Sequence, residues 1–162
     1  MDLEGVEVFY SQAPGTPIVG KPLLEALRQL IRRASSNVII CSCEFTSQQD
    51  FILNEEITRQ LKRNRVVRVY GNHIEQMTDM KDVYGDLGLR AFHWVPPRKK
   101  SLFHIKAITV DANWLYIGSA NLSYNALNNS AEWGFIAHSP EICKDLNDYV
   151  QKLHSTGRFV EM

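Results

Sequence analysis

Short runs rich in β-branched and aromatic residues alternate along this chain with stretches whose apolar residues recur at helical spacing, and that alternation confines it to a layered α/β fold. Val6-Glu-Val-Phe-Tyr10 reads as a first strand, followed by a loop holding Pro14, Gly15, Pro17 and Gly20. Pro22 fits the first turn of a helix with the stripe Leu24, Leu27, Ile31 and Ala34. A strand over 37–43 comes next, then a turn through Thr46-Ser47 and a second helix that Asp50 can cap, with Leu53, Ile57 and Leu61 on its apolar side. Strands at 66–70 and 89–94 flank a short helix near 76–85 that Gly85 and Gly88 terminate. Strands at 103–110 and 113–117 then follow with no helix between them, which calls for a hairpin and therefore a mixed sheet. A helix starting near 122, a strand at 132–137 and a helix at 139–154 complete the pattern.

The 162 residues suit one domain, 1–162, large enough to hide roughly 70% of its unfolded surface without disulfides or a structural metal. Eighteen Lys plus Arg balance eighteen Asp plus Glu, which excludes a polybasic coat protein and leaves room for a local basic groove. The opening Met1-Asp2-Leu3-Glu4 is acidic where a secretory signal is basic, and no apolar run reaches the roughly 18 residues of a membrane span, so a soluble, cytoplasmic chain is expected. Cys41, Cys43 and Cys143 form neither a closed disulfide set nor a zinc pattern, and small buried thiols are the expectation.

The chemistry is concentrated in His104-Ile-Lys106, Asp111 and Gly118-Ser119-Ala-Asn121, which together spell H-x-K-x4-D-x6-G-S-x-N. Six specified positions arise by chance at about 10⁻⁸ per starting point, whereas a lone strand histidine or a lone Gly-Ser turn would be ordinary structure. Cleaving a phosphodiester takes a nucleophile, neutralisation of the non-bridging oxygens and a proton for the leaving oxygen. His104 can serve as nucleophile or acid, Lys106 as a compact cation and Asn121 as an amide donor. Gly118 lets backbone approach an anion, and the Ser119 hydroxyl adds a donor. No cofactor is required by this set. A rival reading takes His93, His104 and Asp111 as metal ligands.

The motif resembles the signature of the phospholipase D superfamily, and the likeness extends to Val6–Ser11, Ser36–Thr46 and Arg65–Tyr70. It implies a mixed β-sheet flanked by helices on both faces and a metal-independent phosphodiesterase that forms a phosphohistidine intermediate. It further implies that Asp111 is a structural hydrogen-bonding partner and that Glu132 orients a catalytic histidine. Many members carry Asn two residues before that glutamate, where this chain has Ser130. With a single motif copy, the resemblance points to the short members that look like homodimeric nucleases, one chain's His104 attacking and the other's acting as general acid.

The motif leaves the substrate open. Arg98-Lys-Lys100 precedes the motif and follows Phe92 and Trp94; basic groups beside aromatics suit a nucleic-acid backbone groove with base stacking, although a solvated basic loop has the same composition. The expected partner is nucleic acid, DNA or RNA, with Arg98, Lys99, Lys100 and Trp94 as substrate-binding residues and no membrane association. The alternatives are a phospholipid-directed phosphodiesterase and a non-catalytic nucleic-acid-binding or scaffold member of the same fold.

Overall fold

In a computed structural model, which describes residues 5–16, 20–46 and 52–162, the apolar runs assemble into one nine-stranded mixed sheet. Its strands are β1 (Glu7–Ser11), β2 (Lys21–Pro22), β3 (Asn37–Cys41), β4 (Val66–Gly71), β5 (Arg90–Trp94), β6 (Ala107–Val110), β7 (Trp114–Gly118), β8 (Glu132–His138) and β9 (Phe159–Glu161). The helices are α1 (Leu23–Arg32), α2 (Asn54–Lys62), α3 (Ile74–Tyr84), α4 (Tyr124–Asn129) and α5 (Pro140–Ser155). The spatial order is β2-β1-β8-β7-β6-β3-β4-β5-β9. Strands β3, β4 and β5 run parallel, joined through α2 and α3, whereas β6, β7 and β8 form antiparallel ladders, the first of them the expected hairpin.

Alternation along the strands sorts the core into two layers. Val38, Ile40, Val67, Val69, Ile108, Tyr116 and Ile136 face Leu27, Leu30 and Ile31 of α1, Ile57 and Leu61 of α2, and Met77 and Met80 of α3. On the other face, Cys41, Tyr70, Phe92 and Phe159 pack against Val150 of α5, and Leu115 and Ala137 against its Cys143. The sheet therefore carries helices on both faces. Side-chain hydroxyls set two of the helix starts: Ser123 accepts from Ala126 N–H at α4, and Ser139 accepts from Ile142 N–H at α5, where Pro140 occupies the first turn. All three cysteines are free and buried.

Several details differ from the sequence reading. Pro22 is the residue before α1, with φ −65° and ψ 124°, so the helix starts one position later. The run at 103–106, expected as strand, lies outside the β6 ladder. Its Phe103 is bonded on both backbone groups by a side chain, which replaces strand pairing there. Strands β2 and β9, of 2 and 3 residues, are too short to leave a period in the sequence. Met1–Glu4, Pro17, the Ser47 turn and the Asp50 cap lie outside the described residues.

Candidate active site

Strands β3, β4 and β7 end at the edge of the sheet where β6 and β8 begin, because Cys41 pairs with Ala107, Ala107 with Ile117, and Gly118 with Gly134. His104 and Lys106 enter β6 at this edge, Ser119 and Asn121 leave β7, and Glu132 opens β8. Gly118 N–H donates to the Lys106 carbonyl at 3.3 Å, which closes the two halves of the motif onto each other.

His104 is exposed, and the Lys106 ammonium nitrogen lies 3.3 Å from each of its ring nitrogens. The two side chains share one side although the segment is not a paired strand. An ammonium only donates, so Lys106 can bond whichever ring nitrogen carries the lone pair. Asn121 donates from Nδ2 to Glu44 Oε2 at 3.3 Å, while its Oδ1 is buried, so the NH₂ end of the amide is the end presented to the site.

Ser119 is fixed by β8. Its hydroxyl donates to Glu132 Oε2 and accepts from Trp133 N–H at 3.0 Å, and its own N–H donates to the Trp133 carbonyl at 2.8 Å. Glu132 thus takes its hydrogen bond from Ser119 rather than from His104, because the pairing of Gly118 with Gly134 sets Ser119 directly beside the start of β8. Beneath this turn lies Tyr116, whose phenol burial first and the charge of Glu132 second push well above its ordinary range. A Cβ on Gly118 would meet the Tyr116 hydroxyl at 2.3 Å and the Trp133 carbonyl at 2.7 Å, and one on Gly134 would meet the Tyr116 ring at 2.4 Å. The tyrosine packs this closely only because both facing positions lack side chains.

Asp111 lies at the opposite end of β6, in a turn where its φ is 54°. Its carboxylate accepts from the N–H and hydroxyl of Ser35, the N–H and hydroxyl of Ser36 and the N–H of Asn37, at 2.8 to 2.9 Å. Partial burial raises its pKa, but these donors outweigh that and hold it far below the usual carboxylate range. A ligand set of His93, His104 and Asp111 is ruled out by this separation, and among the described residues no three His, Cys, Asp or Glu side chains group around one point.

Arg98, Lys99 and Lys100 are exposed in the loop that precedes His104. Trp94 differs from the sequence expectation. It is only 8% exposed, donates Nε1–H to the Ser101 carbonyl, and packs against the rings of Phe103 and Phe159, which leaves no face for a base. The alternation of β5 turns Phe92 and Trp94 together onto the α5 face of the sheet.

Four polar residues at this edge went unmarked in the sequence reading: Ser42, Glu44, Asn72 and Gln76. The Ser42 hydroxyl donates to the Glu44 carbonyl at 2.7 Å and accepts from Leu122 N–H at 3.0 Å, and Gln76 accepts from Phe45 N–H at 3.0 Å. Their signal was positional, since Ser42 and Asn72 directly follow apolar strand runs and Glu44 lies three residues past one, the ends at which open α/β sheets carry their sites.

The sequence matches a protein-family model described as cardiolipin synthase, PLD-like domain, over residues 27–154. No curated protein sequence matches it. Among solved structures, it is similar to a phospholipase D family member, Nuc, from Salmonella typhimurium, with a TM-score of 0.75 at 16% identity over 97% of both chains. It is also similar to NucT from Helicobacter pylori, with a TM-score of 0.66 at 21% identity over 86% of this chain and 90% of that one. The phosphatidylserine synthase of Haemophilus influenzae gives a TM-score of 0.71 at 14% identity, over 97% of this chain and 39% of that one.

Proposed function

Because this chain belongs to the PLD-like domain family, we propose that it is a metal-independent phosphodiesterase acting on nucleic acid through a covalent histidine intermediate. The observation that carries the reading is the Lys106 ammonium held 3.3 Å from both nitrogens of the exposed His104 ring, at the sheet edge that also presents the Asn121 amide. A nucleophile, a cation and a neutral donor on one surface are the parts a phosphodiester displacement uses.

In the first step a ring nitrogen of His104 attacks phosphorus, a P–N bond forms and the P–O bond to the leaving strand breaks. Lys106 and the Asn121 amide take the charge on the non-bridging oxygens, and a general acid protonates the leaving oxygen. In the second step water attacks the phosphohistidine, the same group accepts its proton, and the P–N bond breaks to restore His104. Ser119, whose one hydroxyl proton goes to Glu132 and whose N–H goes to the Trp133 carbonyl, ties the end of β7 to the start of β8 beside the site.

One chain holds one such histidine in its motif, so the general acid in this proposal is His104 of a second copy in a closed homodimer. The surface beside the site favours that arrangement. The β1, β8 and β7 registers align Tyr10 with Trp133, Val8 with Phe135 and Phe135 with Ile117 on one face. Trp133 remains 48% and Val8 37% exposed there, an apolar area adjoining the motif.

Nucleic acid is favoured over lipid by the exposed Arg98–Lys100 loop running into the site, and no helix among the described residues is long and apolar enough to cross a membrane. A lipid phosphodiester is the second reading, favoured by the description of the matching family model and by the fold shared with a phosphatidylserine synthase. The deciding experiment incubates the purified chain, in EDTA, with single- and double-stranded DNA and RNA and with cardiolipin-containing vesicles, beside His104→Ala. Cleavage of a nucleic acid lost in the variant supports the proposal. Turnover of lipid alone, or activity abolished by EDTA and restored by Mg²⁺ or Mn²⁺, overturns it.

A further inference from the structure

We propose that Asn72, at the end of β4, is a positioning residue that sets the nucleophile in place; the inference rests on His104 being that nucleophile. The Asn72 amide grips the backbone of the residue just before it, donating from Nδ2 to the Phe103 carbonyl at 2.7 Å and accepting at Oδ1 from Phe103 N–H at 2.8 Å. Nδ2 also reaches the Cys43 carbonyl at 3.3 Å and its sulfur at 3.2 Å. One side chain therefore ties the His104 segment to the loop whose next residue, Glu44, contacts the Asn121 amide.

The arrangement matters because residues 103–106 belong to no strand. On one side of His104 the chain is fixed by the Phe103 ring, 3% exposed and packed on Phe159 at 5.0 Å, and by the two hydrogen bonds from Asn72. On the other side it is fixed by Gly118 N–H on the Lys106 carbonyl. A ring contact centres a residue but does not set the rotation of its peptide groups; paired bonds to both N–H and C=O do. Rotation at Phe103 would swing the His104 Cα–Cβ direction and separate the imidazole from Lys106. A displacement of about 1 Å in such a group typically costs about 100-fold in rate. The same displacement leaves the groups that bind the rest of the substrate in place.

The test compares wild type, Asn72→Ala and Asn72→Asp on bis(p-nitrophenyl) phosphate and on single-stranded DNA, with folding checked by urea denaturation and the His104 ring protons followed by NMR. In Asn72→Ala we expect kcat to fall about 100-fold on either diester, KM to stay within about threefold, and the His104 ring signals to move. Asn72→Asp keeps the acceptor for Phe103 N–H, loses all three Nδ2 contacts and sets a carboxylate oxygen against the Phe103 carbonyl, so its kcat should fall at least about tenfold. A folded Asn72→Ala with kcat within threefold of wild type, or with unmoved ring signals, overturns the inference; if it does not fold, the same criteria apply to Asn72→Asp. A wild type that turns over the small diester but neither DNA nor RNA, single- or double-stranded, defeats the nucleic-acid reading alone. A wild type inert on the small diester, on DNA and RNA and on cardiolipin vesicles defeats the phosphodiesterase reading, and the ring signals still decide the role of Asn72.

Discussion

Replacing Asp111 by Asn removes charge and acceptors while leaving the backbone undisturbed, since Asn tolerates the left-handed conformation that Asp111 adopts at φ 54°. Oδ1 can still accept from the Ser36 N–H, the Ser36 hydroxyl and the Asn37 N–H, but the new NH₂ group faces the two donors of Ser35. Losing two hydrogen bonds to a carboxylate would cost about 3 kcal/mol or more if buried. Ser35 is exposed, so water recovers part of that, and about 2 kcal/mol is expected. In a chain of 162 residues this lowers Tm by about 4–8 °C. The native carboxyl titrates well below its ordinary value of 3.8, so its contribution is fully present above that value and is lost as pH falls through the native pKa. The gap between wild type and variant should accordingly be constant from about pH 7 to 5 and narrow below about pH 4. Urea denaturation at each pH measures it. A gap under about 0.5 kcal/mol at pH 7, or one that widens on acidification, would refute the reasoning. Because Asp111 is at the far end of β6 from His104, kcat of the folded variant should change less than about threefold.

Gly118→Ala drives a methyl into the Tyr116 hydroxyl and the Trp133 carbonyl, so a loss of about 1–3 kcal/mol in urea and a sharp fall in kcat are expected together; an unchanged protein would show that the turn yields freely. Glu56, 2% exposed, pairs with Arg32 at 2.6 Å and Arg28 at 3.9 Å, and Glu56→Ala should cost about 2 kcal/mol in the same assay, with no change in kcat of the folded fraction. Wild-type and His104→Ala chains co-refolded in equal amounts should retain about one quarter of the activity per dimer if two histidines share a cleft; about one half would show that each chain works alone.

The motif and the alternation of strands and helices were legible because both depend on local order along the chain. The H-x-K, Asp and Gly-Ser-x-Asn spacings are set by the length of the β6–β7 hairpin, so reading them amounts to reading that hairpin. What the sequence concealed depends on pairing between distant segments. Trp94, by its place before a basic loop, suits stacking on bases in the sequence, yet β9, 3 residues long and supplied from the C-terminal end, brings Phe159 against it and closes it into the core. Glu132 stands at the position where a histidine-orienting group is expected, and its bond to Ser119 within the chain, set by the pairing of Gly118 with Gly134, has no signal in local order. Asn72 is 32 residues before His104 in sequence and looks like an ordinary strand terminator; the parallel pairing of β3 with β4 sets it beside Cys43, and the antiparallel pairing of β3 with β6 brings Phe103 to it. Reactive groups at this site follow from local spacing, whereas the groups that aim them follow from strand order. Substitution of an aiming group should therefore alter rate far more than binding, which is the kcat-against-KM separation expected at Asn72.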